Sequence, residues 1–157
     1  MDKKLLRVFY ILFFSGIILS GFVYYQNTKT LDGRTYAEEI PEKITYVNAT
    51  SGMIVPTLPF PGAVTGKQFL ITGKARGTWY FEASFPVVIL DKNGHVLTSG
   101  PAQALSDWMT TEFVSFSATM TVPTSYIGKA TIVLKKDNPS GLPEYDAFIS
   151  FPITIEY

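Results

Sequence analysis

The 157-residue chain contains no cysteine. Disulfides, thiolate nucleophiles, Cys-bound zinc and iron–sulfur clusters are therefore excluded, and so is the lipid-attachment cysteine of a bacterial lipoprotein. There is one histidine, His95, and there are two tryptophans, Trp79 and Trp108. Charged residues are also scarce, at 17% against 46% hydrophobic, which removes the chain from the disordered class. A basic excess is missing too. The formal net charge is zero, and from Thr30 onward nine Lys or Arg stand against twelve Asp or Glu, about minus three. Nucleic-acid binders carry a basic patch or stripe, so no nucleic-acid partner is expected.

The charges are also missing from one long stretch. Lys3, Lys4 and Arg7 precede it, and no further charge occurs until Lys29. Within it, Val8 to Tyr25 (VFYILFFSGIILSGFVYY) is apolar over nearly the 20 residues a helix needs to cross a bilayer. Tyr10, Tyr24 and Tyr25 suit the two interfaces. A cleaved signal peptide would have a shorter apolar run followed by small residues, whereas Phe22, Val23, Tyr24 and Tyr25 are bulky. The expectation is a basic cytoplasmic N-terminus (1–7), a single-pass signal-anchor helix (8–25) and a polar linker (26–52). A β domain (53–157) then lies outside the cytoplasmic membrane, by the positive-inside rule.

After Met53 the pattern changes to alternation of β-branched and aromatic residues, broken by Pro and Gly every 8 to 12 residues or so, as all-β domains require. The last strand is the clearest, with Ile149, Phe151, Ile153 and Ile155 on one face and Ser150, Pro152, Thr154 and Glu156 on the other. Pro152 cannot donate to a ladder and predicts an edge or a bulge. Val114, Phe116, Ala118, Met120 and Val122 form another inward set, as do Phe69 with Ile71 and Ala130 with Ile132 and Leu134. Thr78 to Asp91 reads as one long central strand with Pro86 at a bulge, and Asp91-Lys92-Asn93-Gly94 as a hairpin turn. Six or seven such strands bury their faces by packing two sheets together. The predicted fold is an all-β, immunoglobulin-like two-sheet sandwich without the disulfide, preceded by one transmembrane helix.

Three blocks carry a family resemblance: GKARGTWYFEASFPVVILDKNG (Gly73 to Gly94), WMTTEFVSFSATMTV (Trp108 to Val122) and KKDNPSGLPEYDAFISFPI (Lys135 to Ile153). Together they resemble the immunoglobulin-like domain of bacterial spore germination. The resemblance implies a β-sandwich on the extracytoplasmic face, with a role in adhesion, assembly or envelope interaction. It brings no catalytic residues with it. Against the pattern of many members, a helix is expected in place of a lipidated cysteine, and a stand-alone domain in place of one with a companion.

Catalytic chemistry finds little footing. His95 follows a hairpin turn, where polar residues are common, and no GxSxG elbow accompanies it. Glu82 lies in the most apolar run, where an ionised carboxylate needs a partner such as Arg76 or Lys74. Asp137, Asn138, Glu144 and Asp146 offer oxygen ligands of the kind calcium takes, but their spacing matches no EF-hand and Asn138 to Gly141 reads as turn chemistry. Neither enzymatic activity nor a cofactor or metal is expected. Polar residues of the three blocks gather in turns, and loops on a rigid scaffold are where binding residues concentrate. Arg76, Trp108, Asn138, Ser140 and Glu144 are the candidate interaction surface, with an envelope protein or, alternatively, cell-wall glycan as the partner.

Overall fold

Alternating Val, Ile, Phe and Thr becomes strand throughout the structure, a computed structural model that describes residues 28–31, 34–37 and 43–157. The chain divides into two units, residues 1–40 and 41–157. In the first, β1 (Thr28–Leu31) and β2 (Arg34–Ala37) pair antiparallel, Thr28 opposite Ala37 and Leu31 opposite Arg34. Asp32-Gly33 stands between them in the sequence, a dipeptide strongly favoured in two-residue hairpins. The stretch expected to be a polar linker thus contains an antiparallel strand pair. The expected membrane segment, Val8–Tyr25, lies outside the described residues. Among the described residues no helix is long and apolar enough to cross a membrane.

The second unit contains β3 (Thr45–Val47), β4 (Ile54–Leu58), β5 (Val64–Thr65), β6 (Gln68–Arg76), β7 (Ser84–Asp91), β8 (Val96–Ala104), β9 (Phe113–Thr121), β10 (Gly128–Lys135) and β11 (Phe148–Ile155). Their lateral order is β3-β11-β10-β7-β8-β9-β6-β4, all antiparallel, with β5 added parallel to β11. β3 also falls within the expected linker. It pairs Thr45–Val47 with Ser150–Phe148, and the neighbouring Ile44 and Tyr46 pack on the core.

β11 shows how sequence sets position. Ile149, Phe151, Ile153 and Ile155 are buried, and the alternate residues are half-buried. Burying side chains of this size contributes about 1.5 to 3 kcal/mol each. β3 pairs with the start of β11 and β5 with its end, leaving Pro152 in the gap between these two short strands. Its missing N–H faces that edge, and its carbonyl accepts from the Gly62 N–H at 2.8 Å.

The expected two sheets are one hydrogen-bonded path curled on itself. β8 pairs with β7 over most of its length, but Gln103 pairs with both Ser84 and Ser117, and Ala104 continues onto Phe116 of β9. This change of partner folds β9, β6 and β4 over β7, β10 and β11. The inner faces close around Phe85 and Phe116, whose rings meet edge to face at 4.9 Å.

The long strand expected from Thr78 is shorter. Gly77–Trp79 is a 3-10 turn, and β7 starts only at Ser84 because Glu82 and Ala83 take φ of 49° and 62°. Phe81 and Ser84 exchange both backbone hydrogen bonds across them, at 3.0 and 3.1 Å. Two positive-φ residues in a closed two-residue loop follow the type I′ pattern. Pro86 is consequently an exposed residue within β7, opposite Pro101 of β8, and the register shift in that pair lies further on, at Ile89 and Leu90.

Candidate functional site at the loop end

Antiparallel pairing brings four loops to one end of the second unit: 48–53 between β3 and β4, 77–83 between β6 and β7, 105–112 between β8 and β9, and 136–147 between β10 and β11. Backbone hydrogen bonds tie them together. The Asp137 N–H donates to Trp79 O at 3.0 Å, and the Gly77 N–H to Glu112 O at 3.1 Å. Gly77 is required here, because a Cβ would sit 1.9 Å from Thr110 O and 2.3 Å from Trp108 O.

Arg76 is the main side-chain link. Its Nε donates to Gly52 O at 3.1 Å, and its Nη1 to Thr111 O at 3.2 Å and to Glu112 Oε2 at 3.3 Å. Its guanidinium also lies 4.2 Å from the centre of the Phe113 ring. The charge partner is therefore Glu112, whereas Glu82, expected inside an apolar strand beside Arg76, is exposed in the turn. Trp108 is half-buried and packs on the core. Beneath these loops Tyr80 is buried and donates to Val114 O at 2.7 Å. Burial pushes its hydroxyl up to about 12, against a smaller lowering from a backbone hydrogen bond with Ala75.

The 136–147 loop holds itself. Asn138 Nδ2 donates to Leu142 O at 2.9 Å and Asp146 Oδ1 at 2.8 Å, and Ser140 Oγ donates to Asn138 Oδ1 at 2.5 Å. Asn138 and Ser140, expected as surface contacts, thus spend their polar atoms within the loop. Of the residues that could bind calcium, Asn138 directs an N–H at Asp146. Among the described residues no group of three His, Asp or Glu is placed to hold a metal.

Glu144 is different. It is exposed, has no ion-pair partner among the described residues, and borders a cleft of about 220 Å³ shared with Asn48, Met53, Trp79, Tyr145 and Asp146. Trp79 is 2% exposed, and its indole N–H has no hydrogen-bond partner among the described residues. A buried donor left unmatched costs about 1 to 3 kcal/mol. Neither Trp79 nor Tyr145 is among the residues expected from sequence to form the interaction surface. The cleft draws on segments more than 90 residues apart, which no local motif marks. His95 stands at the other end of the domain, its ring 3.2 Å from Asp91 Oδ2 in the hairpin turn.

A family model described as the immunoglobulin-like domain of bacterial spore germination matches residues 53–142, more than half of the chain. The chain belongs to this family. The spore-germination immunoglobulin-like match begins at Met53, at the lip of the cleft, and ends at Leu142 inside the last loop. It therefore covers two of the three resembling blocks in full and only the start of the third. β3 and β11, which close one edge of the family domain here, lie outside it. No curated protein and no solved structure matches the chain.

Proposed function

We propose that this protein is a non-catalytic recognition module. The segment Val8–Tyr25 holds it on the outer face of the bacterial cytoplasmic membrane, N-terminus inside, and its loop end meets an envelope component. The observation that carries this reading is the convergence of four interlocked loops at one end. There Leu105 is 63% exposed, Met109 76% and Tyr145 56%, and the exposed Glu144 has no ion-pair partner among the described residues. Loops fixed on a rigid strand scaffold are where binding residues collect, and Arg76 spends its polarity on fixing them. The anchor rests on the uncharged run and the three basic residues before it. The one histidine, the natural general base, is at the opposite end from the cleft, which favours binding over catalysis.

The test is photo-cross-linking in intact cells from two exposed positions. A cross-linker at Met109 in the loop end is expected to capture an envelope component, and one at Val96 beside the opposite hairpin is not. Capture from Val96 alone, or equally from both, removes the loop end as the recognition surface. Protease added to spheroplasts is expected to digest the β domain. Protection until the membrane is broken would reverse the proposed topology.

A further inference from the structure

Four large apolar side chains stand in water at the end of the second unit opposite the four loops, where the Asp91–His95 hairpin turn lies. Val64 is 60% exposed, Val96 63%, Ile127 70% and Tyr157 88%. Strand pairing sets them side by side. Thr65 of β5 and Gly128 of β10 both pair with Ile155 of β11, Asp91 of β7 pairs with Ala130 of β10, and Val96 of β8 pairs with Leu90 of β7. The four residues therefore cap five neighbouring strands, β5-β11-β10-β7-β8, which at a spacing of about 4.8 Å make a band roughly 20 Å wide. An exposed apolar band of this kind marks a contact with protein or lipid.

Three features favour lipid. The first is charge. The four loops at the loop end hold six carboxylates, Glu82, Asp107, Glu112, Asp137, Glu144 and Asp146, against one cation, Lys136. At the hairpin end Lys67, Lys92 and Lys129 accompany Asp91 and Glu156. A bilayer containing anionic lipid repels the first end and accepts the second, where lysines near the surface add attraction. The second feature is the company of the apolar residues. Tyr157 and the half-buried Tyr126, whose carbonyl accepts from the Lys67 ammonium, bring aromatic rings beside lysines, a combination suited to the headgroup zone. The third is connection. β3 pairs Thr45 with Ser150 and Val47 with Phe148, so it runs toward the loop end and the chain enters it from the hairpin side. Because Thr28 pairs with Ala37, only the steps from Tyr25 to Thr28 and from Ala37 to Lys43 remain to extend, at most roughly 40 Å. A tether this short gives the face a high effective concentration at the bilayer, so a weak affinity for lipid suffices.

We infer that the hairpin end docks on the anionic lipid surface of the membrane that holds the chain, with Ile127 and Tyr157 in the headgroup region and the loop end turned outward. The inference rests on the reading of Val8–Tyr25 as the anchor.

The chain has no cysteine, so one introduced thiol carries one probe. Ile127→Cys and Val96→Cys at the hairpin end, and Met109→Cys at the loop end, all at exposed positions, are labelled with an environment-sensitive fluorophore. The full-length chain is reconstituted into vesicles of phosphatidylethanolamine and phosphatidylglycerol. Emission from the two hairpin-end probes is expected to shift to the blue and to be quenched severalfold more strongly by spin-labelled lipid than emission from the loop-end probe. Equal quenching at the two ends, or none at the hairpin end, overturns the docking. A blue shift at the hairpin end without lipid quenching gives the face to a second copy of the chain and overturns it equally. Flotation with the vesicles in alkaline carbonate reads the anchor separately. A chain that floats with its hairpin end unquenched keeps the anchor and loses only the docked face, whereas a chain that does not float loses both.

Discussion

Two tight turns cap β7, and they solve the same geometric problem with different residues. At the hairpin end, Asp91 to His95 has Gly94 at φ 85°, and Asp91 Oδ1 accepts from the Asn93 and His95 N–H groups at 2.7 and 2.9 Å. At the loop end, the turn between Phe81 and Ser84 places Glu82 and Ala83 in the left-handed region, with no glycine to relieve them. Left-handed backbone costs a residue with a Cβ about 1 to 2 kcal/mol. One end of the strand therefore relaxes into its turn, while the other is held against its local preference by the loops around it. Backbone strain of that kind gathers at functional sites, and here it lies in one of the four loops of the loop end.

One rigid strand joins the two turns, and Phe85 within it carries the largest expected effect. The side chain is fully buried, with ring contacts to Trp79, Tyr80 and Phe116. Phe85→Ala is expected to cost about 3 to 5 kcal/mol in a denaturant titration. A loss under 1 kcal/mol would show that β7 does not organise both ends. The turns themselves should respond with opposite signs. Gly94→Ala is expected to destabilise by about 1 to 2 kcal/mol, because alanine resists its positive φ even though no atom lies within 4 Å of the new Cβ. Ala83→Gly is expected to stabilise by about 1 kcal/mol for the converse reason. If both substitutions destabilise, the strain attributed to the loop end is not there.

These two turns also separate what was legible in the sequence from what was not. The Asp-Lys-Asn-Gly turn was readable because each residue serves the turn its own side chain favours. So were the inward faces of β9, β10 and β11, where a period of two coincides with burial. The Glu82-Ala83 turn was hidden because neither residue prefers positive φ, and tertiary contacts overrode local propensity. The curl at Gln103 was hidden because a partner change on one residue leaves no periodic trace. The hairpin of β1 and β2 had a visible signal in Asp32-Gly33, which low hydrophobicity nearby obscured. Among the candidate surface residues, Asn138 and Ser140 were chosen for polarity alone, and their loop consumes that polarity. Glu144 has the same polarity without a partner among the described residues, and only the fold reveals the difference.

The smallest expected effect belongs to the hairpin end and depends on pH. Desolvation is the largest single influence on Asp91 and would raise its carboxyl, but the backbone N–H groups of His95 and Asn93, the His95 ring hydrogen bond and the His95 charge together outweigh it and hold the group below its ordinary value of 3.8. A carboxyl depressed by folding adds stability that is present above that ordinary value and is lost as pH falls through the lower folded one. Asp91→Asn keeps an oxygen to accept the two N–H groups but cannot take on the charge. The melting temperature of the parent should therefore exceed that of Asp91→Asn by a small, constant margin from pH 5 to pH 6, and the two should converge as the pH drops below 3.8. A margin that persists undiminished at pH 2 would mean that the charge contributes nothing and that the turn is held by geometry alone. The hairpin end would then differ from the loop end only in its glycine.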